Sequence, residues 1–210
     1  MLFRSKSQIK IFCIGANKTG TTSLENALSD FGYKMGNQQE AELLLNDYKL
    51  ANWKPIIKFC DSAQAFQDIP FSCPYTWLIL HHYFPEAKFI LTVRDDSNMW
   101  YNSLVRFHSK LFADKIRIPT KEDLKNASYC YKGFVYDSMK IMWKTPDDDL
   151  YNEKILKKVY ETHNDSVRHF FKNNPNFLEI NLSDESSYLK LCEFLKQKPL
   201  YNNFPHLNIT

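Results

Sequence analysis

The run Gly15-Ala16-Asn17-Lys18-Thr19-Gly20-Thr21-Thr22-Ser23 gathers residue types that grip an anion. Gly15 and Gly20 permit a tight bend. Lys18 brings a point charge, and the Thr and Ser hydroxyls bring hydrogen-bond donors. The preceding IKIFCIG reads as a buried strand ended by glycine, and the following TTSLENALSDFG reads as a helix. The first N–H groups of a helix lack internal partners and carry the positive end of its dipole. A strand, a bend and a helix start in this order make a phosphate cradle. The glycine spacing is that of an ATPase loop, G-x-x-x-x-G-K-[ST], but Thr21 stands where the lysine belongs. The lysine comes two residues before the second glycine, which changes the oxygen it can reach.

A second anion grip follows the apolar run KFILTV, residues 88–93, which reads as the clearest strand in the chain. Arg94 then falls at the carboxyl end of that strand, where parallel sheets hold ligands. Ser103 lies about two turns or less along the next helix. An arginine fork and a hydroxyl can hold one phosphate together. The competing reading gives Arg94 to a salt bridge with Asp95 or Asp96 and leaves Ser103 a plain helix residue. Two phosphate grips on one sheet suit a nucleotide with phosphates at both its 3′ and 5′ ends.

These segments need a sheet to bring them together. KPIIKF is a short strand candidate and NFLEINL a last strand, with helices expected over 38–48, 74–84, 95–112, 120–143, 147–172 and SSYLKLCEFLKQ. Short apolar strands alternating with helices predict a three-layer α/β/α fold with a central parallel sheet and the phosphate loop after its first strand. The 210 residues suit a single domain over 1–210. No repeat or low-complexity tract interrupts them.

Composition narrows the function. The net charge of +3 is mildly basic, enough to attract a polyanionic small molecule but short of the basic stripe of a nucleic-acid binder. Five cysteines, an odd number with no C-x-x-C, argue for reduced thiols, a cytoplasmic location and no zinc site. No metal site is evident; the acidic run Asp147 to Asp149 reads as a helix cap. The N-terminal basic residues Arg4, Lys6 and Lys10 precede too short an apolar run for a signal peptide, and no stretch is long enough to span a membrane. Nothing in the sequence specifies an oligomer.

KTGTTSL and FILTVRDDSNMWYNS together resemble the two donor-binding segments of the sulfotransferases that use 3′-phosphoadenosine 5′-phosphosulfate (PAPS). QDIPFSCPYTWLILHHYFPEAKFILTVRD, YETHNDSVRHFF, LCEFL and the closing FPHLN resemble a microbial-type branch of the same family. The resemblance implies a sulfuryl transfer from PAPS to a hydroxyl, on a small-molecule or glycan acceptor, with no metal. It implies that Asn17, Lys18, Thr19, Gly20, Thr21, Thr22 and Ser23 bind the 5′-phosphosulfate, with Lys18 on the leaving oxygen. Arg94 and Ser103 would hold the 3′-phosphate. Members of this branch often carry a His shortly after the first helix, whereas this chain reads Tyr33-Lys34-Met35-Gly36-Asn37. The general base therefore falls to another residue. Asp68 and Asp61 come first, then Glu40, His81 and His82. Asp68 is favoured because QDIP precedes a helix that should start near the ligand edge, although a turn or cap carboxylate fits equally. Two other classes compete: a P-loop kinase or ATPase-like protein, and a non-catalytic nucleotide-binding relative.

Overall fold

The protein is described here over residues 9–204 by a computed structural model. Arg4 and Lys6, and the tail from Pro205 with most of FPHLN, lie outside the described residues.

The first strand, β1 (Ile11–Cys13), is buried throughout. Ile11 and Cys13 face Leu24, Leu28, Ile180 and Leu191. Phe12 and Ile14 face the other way, toward Phe66, Phe71, Leu80 and Phe89. Apolar side chains on both sides of a two-residue repeat require cover on both faces. β2 (Ala65–Phe66), β3 (Lys88–Val93) and β4 (Phe177–Asn181) complete an all-parallel sheet in the order β2-β1-β3-β4. Phe12 registers with Phe66 and Phe89, and Ile90 with Leu178.

The helices in chain order are α1 (Thr21–Asp30), α2 (Gln38–Glu42), α3 (Leu45–Lys49), α4 (Trp53–Phe59), α5 (Thr76–Tyr83), α6 (Ser97–Phe112), α7 (Lys121–Asn126), α8 (Phe134–Ser138), α9 (Glu153–Phe170) and α10 (Ser187–Leu195). Helices α1 and α10 cover one face through Leu24, Leu28, Tyr188 and Leu191. Helices α4, α5 and α9 cover the other through Ile56, Trp77, Leu80 and Val167. The expected three-layer α/β/α fold is the observed one. A further apolar cluster, with Trp100, Leu124, Phe134, Trp143 and Tyr160 among its members, packs against Ala16 and Ile69 beyond the sheet.

Three local expectations are corrected. KPIIKF is helix, not strand: Trp53, Ile56, Ile57 and Cys60 recur at helical spacing, and Pro55 falls in the first turn, where its missing N–H costs nothing. The helix expected over 120–143 breaks between Asn126 and Phe134, where Gly133 turns the chain at φ 87°, and it ends in a π-helical turn, Met139–Trp143. The helix expected over 38–48 is two short ones, α2 and α3. Among the described residues no helix is long and apolar enough to cross a membrane.

The topology sets the site. The chain leaves β1 for β2 on one side of the β1–β3 pair, and leaves β3 for β4 on the other. The loops after β1 and β3 therefore diverge and open a crevice at the carboxyl edge. Gly15 to Gly20 and Arg94 are the residues that leave those two strands.

Candidate active site

The crevice holds a cavity of about 350 Å³ lined by Asn17, Lys18, Gly20, Thr21, Thr22 and Ser23 from the loop, and by Asp68 and Arg94 from the ends of β2 and β3. Gly15 begins it. An added Cβ would lie 2.2 Å from Thr92 Oγ1 and 2.5 Å from the Thr92 carbonyl oxygen, so β1 and β3 approach this closely only because the residue is glycine. Gly15→Ala should cost about 1–3 kcal/mol or more in a denaturant melt. Thr92→Ala should not rescue it, since the backbone contacts at 2.5 and 2.7 Å remain.

Lys18 and Gly20 both take left-handed backbone conformations, φ 72° and 98°. Gly20 closes the bend against Leu182 and stands as the N-cap of α1 without a side-chain cap. The first N–H groups of α1 thus have no acceptor within the helix. The loop carbonyls are held away by neighbours. Arg94 Nε donates to the Lys18 carbonyl at 2.8 Å, and Trp100 Nε1 donates to the Asn17 carbonyl at 2.9 Å. Arg94 N in turn donates to Tyr160 Oη at 3.0 Å, and Tyr160 stacks on Trp100 at 4.5 Å. With the loop's acceptors engaged and its donors open, the bend presents positive potential to the cavity.

Thr19 differs from its neighbours. Its hydroxyl is buried, donates to the Ala16 carbonyl at 2.6 Å and lies 2.5 Å from Thr92 Oγ1. The side chain braces the loop against β3 and does not line the cavity. Lys18 Nζ lies 3.5 Å from the ring centroid of Phe107, within cation–π range. Burial, then the Arg94 charge, lower its pKa.

Acid groups line the same cavity. Asp68 follows β2 with φ 52°, and its Oδ1 is buried without a hydrogen-bond partner among the described residues. Burial first, then the charge of Glu42, push its pKa up to about 7, against a hydrogen bond from Thr21 and the charge of Lys18. Glu42 is buried and accepts from Gln38 Nε2 at 3.3 Å and from Tyr129 Oη at 3.4 Å. Burial raises its pKa too. His108 lines the same cavity; its Nδ1 lies 2.8 Å from Tyr151 Oη, and burial followed by the Lys18 charge pushes its pKa down to about 3. It is a neutral imidazole at physiological pH.

The other candidates fall elsewhere. Asp61 is exposed, ahead of the amino end of β2, beside the Cys60 and Ala63 carbonyls that Lys10 binds. That is the edge of the sheet opposite the cavity. His81 packs its ring against Phe89, Phe170 and Phe171, and Glu40 bonds the Asn37 cap of α2. Neither they nor His82 line the cavity. Ser103 is half-buried on α6 and also lies outside the lining, which takes Leu104, Phe107 and His108 from that helix. Leu104, Phe107 and His108 stand at i, i+3 and i+4 and share one face, a signal the sequence contained. Leu182 and Ser183 line the cavity because they directly follow β4, as the carboxyl-edge rule requires. Glu42 and Tyr129 carried no local signal. No cluster of three or more His, Cys, Asp or Glu suited to a metal ion occurs among the described residues.

The sulfotransferase domain family provides a sequence model that matches residues 10–210. The chain belongs to this family. The match takes in β1, the loop, Arg94 and the final helix alike, so the sulfotransferase assignment covers all four strands. No curated protein matches the chain. The family supports sulfuryl transfer as the general activity.

Proposed function

We propose that the protein transfers a sulfuryl group from PAPS to a hydroxyl of a small-molecule or glycan acceptor. The observation that carries this reading is one cavity that brings together Lys18, Arg94, the open N–H groups of α1 and Asp68, within a sulfotransferase domain. The residues present fit a donor with two anionic ends. The N–H groups of Thr21, Thr22 and Ser23, with the Asn17, Thr19 and Gly20 backbone, hold the 5′-phosphosulfate. Arg94 has its Nε on the loop, which leaves the outer nitrogens for the 3′-phosphate. Ser103 serves there only if α6 or its own rotamer adjusts.

In the transfer, the acceptor oxygen bonds to sulfur as the bond from sulfur to the bridging oxygen breaks. The acceptor proton goes to Asp68. The electron pair stays on the leaving phosphate oxygen, where Lys18 offsets the charge. The unpartnered Asp68 Oδ1 is a proton acceptor awaiting a donor. Placing nucleophile and donor in one cavity supplies the rest of the rate. No metal is called on for a donor of this charge. The free thiols favour a cytoplasmic enzyme, and the chain acts as one domain over 1–210 without nucleic-acid partners.

Calorimetric titration with 3′,5′-bisphosphoadenosine, without metal, tests the donor. The native chain should bind, and Arg94→Ala should bind about 10- to 100-fold more weakly, the worth of one charge-assisted contact. ATP with Mg²⁺ binding in place of the bisphosphate would favour the kinase-like alternative. Bisphosphate binding with no transfer to any acceptor would favour a non-catalytic relative.

A further inference from the structure

A second cavity system lies away from the one just described. An inner cavity of about 190 Å³ is walled by Pro74, Tyr75, Trp77, Met142 and Val159. An outer one of about 680 Å³ adds Tyr48, Trp53 and Tyr136. The two share Pro74, Tyr75 and Lys144, and neither shares a residue with the reaction cavity. We propose that this two-part cavity is a binding site for a small aromatic acid bearing a hydroxyl group.

Size and lining call for the ring. An apolar cavity of about 150 Å³ accepts a benzene-sized guest, and the inner cavity is somewhat larger with a mainly apolar wall. Charge calls for the acid. Lys144 and Lys158 line the inner cavity, and Lys49, Lys140 and Lys144 the outer one, against a single carboxylate, Asp137. Lys140 is paired with Asp147 at 2.9 Å, while Lys49, Lys144 and Lys158 form no ion pair among the described residues.

The hydroxyl follows from two polar atoms left over. Trp77 Nε1 and His163 Nδ1 are buried without partners, and both residues line the inner cavity. His163 is more than nine-tenths buried, and its Nε2 lies 2.8 Å from the Ile14 carbonyl. A carbonyl only accepts, so Nε2 carries the proton, and in the neutral ring Nδ1 is left as an acceptor. Burial keeps the ring neutral by lowering its pKa. A hydroxyl can give to an imidazole nitrogen and take from an indole N–H. Leaving such groups unpaired costs stability, which a ligand hydroxyl would recover. The walls are also framed by strained backbone: Tyr75 and Lys144 have φ 63° and 55°, conformations that glycine adopts more easily.

Titration of the full chain with 4-hydroxybenzoate, followed by calorimetry, tests the site. Saturable 1:1 binding is expected, about 10-fold weaker for benzoate, which lacks the hydroxyl. Lys144→Gly should weaken binding at least about 10-fold while leaving the melting temperature equal or higher, because glycine suits that backbone. Val159→Phe, which fills the inner cavity, should abolish it. Lys18→Ala should leave it unchanged, which separates this site from the reaction cavity and from the sulfuryl-transfer reading. Absence of saturable binding, persistence in both Lys144→Gly and Val159→Phe, or loss in Lys18→Ala would overturn the proposal.

Discussion

Asp68→Asn should lower kcat by about 10²- to 10⁴-fold, the usual contribution of a positioned base. It should also change two pH dependences in opposite senses. With Asp68 as the proposed base it must be ionised to act, so kcat/KM should rise with pH and level off near the raised pKa of about 7. The Asn variant should lose that limb. Glu42→Gln should move the limb to lower pH, since the Glu42 charge is the second cause of the shift. Glu25, Lys18, Thr21, Gln38 and Tyr129 are other polar groups around the pair, and they are unchanged in both variants. Stability runs the other way. A carboxyl whose folded pKa is raised from 3.8 to about 7 contributes stability below the lower value and loses it as pH rises through the upper one. Asn does not ionise and can still accept from Thr21. Thermal melts should therefore show Asp68→Asn above the native protein at pH 8, with the gap closing toward pH 4. A variant that is less stable at pH 8 would remove the desolvated carboxylate from the mechanism.

Lys18→Ala should reduce kcat by about 10²- to 10³-fold, as removal of one charge-stabilising donor does. Bisphosphate affinity should fall much less. An interaction that strengthens as the leaving oxygen gains charge lowers the barrier more than it tightens binding. Lys18 has φ 72°, so Lys18→Gly removes the ammonium while relaxing the backbone. Equal losses in the Ala and Gly variants would assign the effect to the ammonium. A Gly variant that retained activity would assign it to loop shape. Lys18→Arg should not restore the rate, because a guanidinium spreads its charge over a planar fork and does not present a compact ammonium to the leaving oxygen.

The parts of this protein legible in its sequence are those whose cause is local. The loop from Gly15 to Ser23 is one contiguous run whose glycines, lysine and helix start each have a short-range reason. β1 and β3 show as compact apolar runs because both faces are covered. KPIIKF misleads because Ile56 and Ile57 favour strands, and only the wider register with Trp53 and Cys60 shows a helix. β2 is two residues long, too short for any periodicity, and exists because β1 offers it an edge. The acidic wall was half legible for the same reason. Asp68 is marked in the sequence by QDIP ahead of a helix, but Glu42, Tyr129 and His108 meet it only through the packing of α2, the 127–133 turn and α6. Asp61 has the right chemistry and stands at the wrong end of β2, a distinction that needs strand direction as well as sequence.

The strand order has a consequence for how the chain is made. β1 leaves the ribosome first, yet it lies between β2 and β3, and β3 gains its outer partner only when Phe177–Asn181 has emerged. Until then Phe89, Ile90, Leu91 and Val93 form an open edge whose side chains belong to the core. Parallel pairings across such distances close slowly. Nascent or truncated chains ending before β4 should therefore be the aggregating species in expression, and slower growth or chaperone supply should raise yield without any change of sequence.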